Sequence, residues 1–181
     1  MVILKYIMLF LILIACSILG KILSSKYKKR LKELEEMKTA LNMFKTKINF
    51  TYDTIPEIFG EISEKIKGNV GLIFKDAKSK MKENTADLAW EDALEKSDGY
   101  LDKEDIYTLK TLSKLLGKTD VEGQISQIDI TQKFLENQIN EAIVEKQKNE
   151  KLYQKLGITI GLVIAIILAW EEKTNGYKFI I

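Results

Sequence analysis

Histidine is absent from this 181-residue chain. With it go the commonest general base, the imidazole ligands of most zinc and iron sites, and the Ser-His and Cys-His nucleophile pairs. A single cysteine, Cys16, excludes a disulfide framework or a cysteine-based metal site within one chain. One proline and ten glycines leave few sharp turns, which favours long helices over a many-turned β fold. A charge surplus is missing too. Between Ile22 and Leu156 there are 24 Lys plus Arg against 24 Asp plus Glu, so the basic footprint of a nucleic-acid binder is not there. Neither a phosphate-cradling lysine loop, nor a dinucleotide loop, nor a nucleophile elbow occurs. An enzyme would have to work with exposed carboxylates alone, and a membrane-bound hydrolase would need a pocket of perturbed carboxylates that the sequence does not advertise. The expectation is a non-enzyme without cofactor or metal.

What is present lies first at the two ends. From Gly157 to Trp170 there is no charge, and Lys146, Lys148, Lys151 and Lys155 precede that run. The plan is reversed at the start, where Tyr6 to Gly20 is uncharged and Lys26, Lys28, Lys29, Arg30 and Lys32 follow. Apolar plugs beside basic collars read as membrane helices with cytoplasmic flanks. Met1 to Leu23 is roughly 35 Å of helix at about 1.5 Å per residue, enough to span if Lys5 and Lys21 snorkel. Leu152 to Trp170 gives roughly 28 Å, marginal for a span. Two readings compete with two spans: a single span with a signal peptide or interfacial helix, and lipoprotein processing at Leu13-Ile-Ala-Cys16. The expected divisions are residues 1–25 as a first membrane helix, 26–151 as a cytoplasmic bundle, 152–170 as a second membrane helix, and 171–181 as a tail of unknown role.

The middle reads as helices throughout. Leu31, Leu34, Met37, Leu41, Phe44 and Ile48 form one stripe continuing the first membrane helix, a bundle face rather than a homodimeric coiled coil. Thr54 and Glu57 suit a capping box, with Pro56 in the first turn of a second helix ending at Gly68. A third helix carries Val70, Ile73, Phe74, Ala77 and Met81. A fourth, capped by Thr85, carries Leu88, Ala89, Trp90, Ala93 and Leu94, with Trp90 as a core anchor. Asp102 should cap a fifth helix running to Gly117, with Leu101 and Ile106 as a hydrophobic staple. Thr119 and Glu122 suggest a capping box for the sixth, whose expected buried positions are Val121, Ile125, Ile128, Phe134, Leu135, Ile139 and Ile143. The fold class is therefore all-α: a six-helix bundle between two terminal membrane helices that prolong its first and last helices.

Acidic clusters are weak sites. Asp98, Asp102, Glu104 and Asp105 lack the order and the closing glutamate of a calcium loop and read as a helix start. Glu33, Glu35 and Glu36 interleave with Lys29, Lys32 and Lys38 as a solvated face. What composition leaves is a binding or scaffold protein.

Several phrases together resemble one family, stage III sporulation protein AB of endospore-forming bacteria. They are Arg30-Leu-Lys-Glu-Leu34, Ile48-Asn-Phe-Thr-Tyr52 with Thr54-Ile-Pro-Glu57, Ala89-Trp-Glu-Asp-Ala-Leu94, Leu116-Gly-Lys-Thr-Asp120 with Gln124, and Lys148-Asn-Glu-Lys151 leading to Leu156-Gly-Ile-Thr-Ile-Gly161. The resemblance implies a cytoplasmic domain like that of the type II secretion and type IV pilus inner-membrane platform protein. It also implies a role in the channel-like complex between mother cell and forespore, in the mother-cell membrane. The implied partners are a secretion-type ATPase, stage III sporulation protein AA, and other stage III channel proteins, with a homodimer to rebuild the usual two-bundle platform. Carried over as structural positions are Pro56, Trp90, Gly117, Asp120, Gln124 and Gly157; no catalytic residue is carried. The docking surface is expected near residues 68–82 and 98–105. The competing function is a membrane-tethered helical adaptor or signalling protein unrelated to secretion.

Overall fold

The computed structural model describes residues 2–51 and 53–177. Among them there are six α-helices and no strand. These are α1 (Val2–Phe50), α2 (Ile55–Lys65), α3 (Asn69–Lys80), α4 (Ala86–Glu95), α5 (Lys103–Lys110) and α6 (Val121–Tyr177), with a 3-10 turn over Thr111–Lys114 after α5. The chain divides into two compact units. One holds Met1–Lys28 with Val144–Ile181, the other Lys29–Ile143. The bundle unit is thus narrower than the 26–151 expected, and α1 and α6 each contribute to both units.

In the bundle unit the stripe on α1 behaves as its spacing requires: Leu31, Leu34, Met37, Leu41, Phe44 and Ile48 are all buried. Opposite lie Ile58, Phe59 and Ile62 of α2, Val70, Ile73, Phe74 and Ala77 of α3, and Trp90 and Leu94 of α4. Four aromatic rings form the centre. Phe59 meets Phe44, Phe74 and Trp90 edge-on, with centroids 5.3, 4.8 and 5.5 Å apart, the geometry that ring quadrupoles favour. The indole N–H of Trp90 donates to the Leu109 carbonyl at 2.9 Å, so the one polar atom of this buried side chain is satisfied at the end of α5.

Caps explain the helix starts. The Glu57 carboxylate accepts both the backbone N–H and the hydroxyl of Thr54, at 2.8 and 2.7 Å, with Pro56 in the first turn of α2. Asp102 accepts the N–H groups of Glu104 and Asp105 at 2.9 Å. Two expectations need correction. The fifth helix does not reach Gly117 as an α-helix. It tightens into the 3-10 turn at Thr111, and Gly117 then takes φ 72°, a left-handed conformation that suits glycine, before the chain enters α6. Thr119 and Glu122 do not cap α6: Asp120 does, accepting the Gly123 N–H at 2.9 Å, because its carboxylate is also the better charge for a helix start.

The buried face of α6 follows the expected one at Ile128 and Leu135, with Ile125, Ile139 and Ile143 half-buried against the core, and departs from it at two positions. Ile128, Leu135 and Ala142 are buried at intervals of seven, whereas Val121 and Phe134 are exposed. Between the apolar positions the same seam carries Gln124, Thr131 and Gln138, again seven apart. They are tied by hydrogen bonds: Gln138 donates to the Thr108 hydroxyl at 3.0 Å, the Thr131 and Thr111 hydroxyls lie 3.3 Å apart, and Gln124 donates to the Thr119 carbonyl at 3.2 Å. α6 therefore packs through a seam that is half polar.

The other unit is apolar on its outside. Ile7, Phe10, Leu11, Ile14, Ile18 and Leu19 of α1 are exposed, as are Leu156, Ile160, Val163, Ile167 and Trp170 of α6, while Gly20, Gly157 and Gly161 are buried. Large apolar residues outside and small ones between helices is the arrangement suited to lipid rather than water. Among the described residues one helix, running from Phe10 to Phe50, is long and apolar enough to cross a membrane. The expected second span, 152–170, is helical throughout, although several of its side chains lie outside the described residues. The expected tail begins inside α6, and residues 178–181 lie outside the described ones.

Candidate functional site

No group of three or more His, Cys, Asp or Glu that could hold a metal occurs among the described residues. What the structure offers instead is two ordered contacts and one charged groove.

The first contact joins α1 to α6 in the apolar unit. A Cβ added at Gly157 would stand 2.7 Å from the Cys16 carbonyl oxygen, and one at Gly20 would stand 2.6 Å from that of Tyr153. Both glycines therefore permit an approach that any side chain would block. Gly161 extends the seam, with Cys16 Cβ 3.2 Å from where its own Cβ would be. Above it Tyr27 and Tyr153 stack with centroids 6.1 Å apart. Of these residues the sequence marks Gly157 as a structural position and Cys16 only as a candidate for lipoprotein processing. The signal for the rest was available: Gly157 and Gly161 are a GxxxG pair, and Cys16 and Gly20 repeat the same spacing on α1.

The second contact fixes the start of the bundle unit. The Arg30 guanidinium binds Asp105 through two parallel hydrogen bonds of 2.8 Å and reaches Asp102 at 2.9 Å. Asp105 is fully buried, and it also accepts the Asp102 backbone N–H at 2.9 Å. Arg30 was expected in the membrane-flanking collar; it is instead buried against acids that only the fold brings near. Glu33, expected on a solvated face, is buried as well and accepts the Tyr100 N–H at 2.7 Å. Lys29 donates to the Tyr100 hydroxyl at 2.8 Å. Lys26, Lys28, Lys151 and Lys155 are exposed, Lys26 lying 4.9 Å from the Tyr27 ring centroid. The cluster around residues 98–105 is thus partly spent on internal pairing, which long-range contacts decide and local spacing cannot reveal.

A third feature lies between α2 and α3: a groove of about 520 Å³ walled by Ser63, Glu64, Lys67, Lys75, Lys78 and Lys82. Lys78 lies across Gly60 of α2, where an added Cβ would come within 3.2 Å of its side-chain carbons. Elsewhere on the bundle, lysines are mostly matched by acids: Lys38 with Glu136, Lys45 with Asp129, Lys47 with Glu61, Lys80 with Asp92. Asp87, in the first turn of α4, is held down to about 2, chiefly by its hydrogen bond from Lys118 and then by Thr85.

Comparison with known proteins gives a consistent result. The family described as stage III sporulation protein AB matches residues 5–169. Stage III sporulation protein AB of Bacillus subtilis (strain 168) is 24% identical over 161 residues, covering 87% of this chain and 94% of that protein. A solved structure of a stage III sporulation protein AB superimposes with a TM-score of 0.60 at 21% identity, covering 64% of this chain and 94% of that one. At that identity the structural match speaks for the fold.

Proposed function

The chain belongs to the stage III sporulation protein AB family, and from that premise we propose that this sporulation protein is a non-enzymatic membrane platform in a secretion-like channel complex between mother cell and forespore. On this reading both α1 and the end of α6 cross the mother-cell membrane, and the bundle of Lys29–Ile143 faces the cytoplasm. There it docks the secretion-type ATPase, stage III sporulation protein AA, beside the other channel proteins.

The observation that carries the proposal is the contrast between the two units. One presents apolar side chains outward over buried glycines. The other is a densely packed bundle, with 22 Asp plus Glu against 18 Lys plus Arg, whose strongest polar contacts, such as Arg30 with Asp105, are used to hold its own shape. A domain whose buried charged groups are spent on internal contacts offers surfaces to partners rather than chemistry to a substrate.

Two experiments test it. The purified full chain in nanodiscs should retain the AA ATPase in a pull-down, with or without nucleotide; no retention removes the docking claim. For orientation, Cys16→Ser with Lys103→Cys should resist a membrane-impermeant maleimide in intact cells and react after lysis. Labelling in intact cells would put the bundle on the wrong side.

A further inference from the structure

We infer that the groove between α2 and α3 is the seat for an acidic helical segment of a protein partner, read by Lys67, Lys75, Lys78 and Lys82. Three observations lead there. Lys75 and Lys78 stand three apart on one face of α3, and Lys82, in the turn just past its end, lines the same groove. All four lysines are exposed, and among the described residues none of their side chains has a hydrogen bond or ion pair, Lys78 lending only its field to Glu57, whereas Lys80 on the other side of α3 is bound to Asp76 and Asp92. Like charges held together in a concave wall repel one another, and that repulsion is relieved when opposite charge enters.

The form of the groove selects the ligand. Its lining is side chains of α2, α3 and the turns that follow each, four of them lysines, and not the glycine-rich loop of a phosphate cradle. The bases are lysines, point charges suited to separate carboxylates, not the forked guanidinium that grips a phosphate in two places. Glu64 in the same wall disfavours a uniform polyanion but tolerates a helix whose acids are spaced by neutral residues. A helix carrying Glu at intervals of three and four offers its carboxylates at the spacing of Lys75 and Lys78. The inference rests on the platform reading only for the identity of the partner in the cell; binding itself is a property of the groove.

The test uses the full chain in phosphatidylcholine nanodiscs and a fluorescein-labelled helical peptide of Glu-Ala-Ala-Glu repeats, followed by anisotropy. The peptide should bind, and Lys75→Gln/Lys78→Gln/Lys82→Gln should weaken it by about tenfold, the sum of three modest charge contacts. A control with the same charge change on exposed residues elsewhere, Lys103→Gln/Lys114→Gln/Lys133→Gln, should stay within about twofold of the parent. Equal loss in both variants, or no binding by the parent, overturns the proposal. So does phosphatidylglycerol vesicle binding that needs the groove lysines while the peptide is ignored, since lipid would then be the occupant. Peptide binding with no retention of the AA ATPase would leave the groove standing and sink the platform reading. ATPase retention unchanged by the groove variant, with no peptide binding, would do the reverse.

Discussion

Arg30 and Asp105 show how much a single pair can carry when one partner is sealed from water. Asp105 has no exposure, and its two oxygens are matched edge-on by a guanidinium. Removing the cation leaves a buried carboxylate unpaired, so Arg30→Ala should cost about 3–5 kcal/mol. Arg30→Lys should recover little, because an ammonium cannot make the paired contact. Urea unfolding followed by Trp90 fluorescence, in a Trp170→Phe background, measures both. Asp87 gives a pH signature. Its ordinary value is 3.8, and hydrogen bonds from Lys118 and Thr85 lower it to about 2 in the fold. The unfolded chain therefore binds the proton more tightly, and stability from Asp87 is complete above 3.8 and lost as pH falls through about 2. Asp87→Asn should be less stable than the parent at neutral pH, with the difference in urea midpoint closing as the pH drops through that window.

At the scale of elements, α1 and α6 differ in how openly their sequences declare their packing. The stripe Leu31, Leu34, Met37, Leu41, Phe44 and Ile48 is apolar at nearly every inward position, so periodicity alone marks it. On α6 every second inward position is Gln or Thr, and a search for apolar residues turns instead to Phe134, which is exposed. The polar half of the seam becomes visible only when Thr108 and Thr111 are seen across from it. The same reason hid Arg30 and Glu33: their partners lie some seventy residues away along the chain. Caps and glycine turns, which depend on neighbours in sequence, were readable, apart from the choice between Thr119 and Asp120. The seam also yields a prediction. The side-chain carbonyl of Gln138 is buried with no hydrogen-bond partner, and such a group is worth more as hydrocarbon. Gln138→Leu together with Thr108→Val, which removes both ends of the hydrogen bond between them, should raise stability by about 1 kcal/mol in the same unfolding assay, while Gln138→Glu, which buries a charge, should lower it.

For the whole molecule, the contact of Gly20 with α6 decides whether the two ends of the chain act together. Leu at position 157 would drive its Cβ onto the Cys16 carbonyl, now 2.7 Å from that point. A cross-link reports the pairing: Gly161→Cys would set its Cβ 3.2 Å from that of Cys16, close to the roughly 3.5–4.5 Å that a disulfide needs. Mild oxidation of Gly161→Cys in membranes should give an intramolecular bond seen as a mobility shift on non-reducing gels. Adding Gly157→Leu should abolish it.

The alternation on α6 has one more effect. Gln124, Thr131 and Gln138 interleave with Ile128, Leu135 and Ala142, so sliding that rod lengthwise by a single turn, about 5.4 Å, would set amides where aliphatic chains had been and strand both. The track is notched like a key: it resists creep under tension and gives way, if at all, in whole clicks.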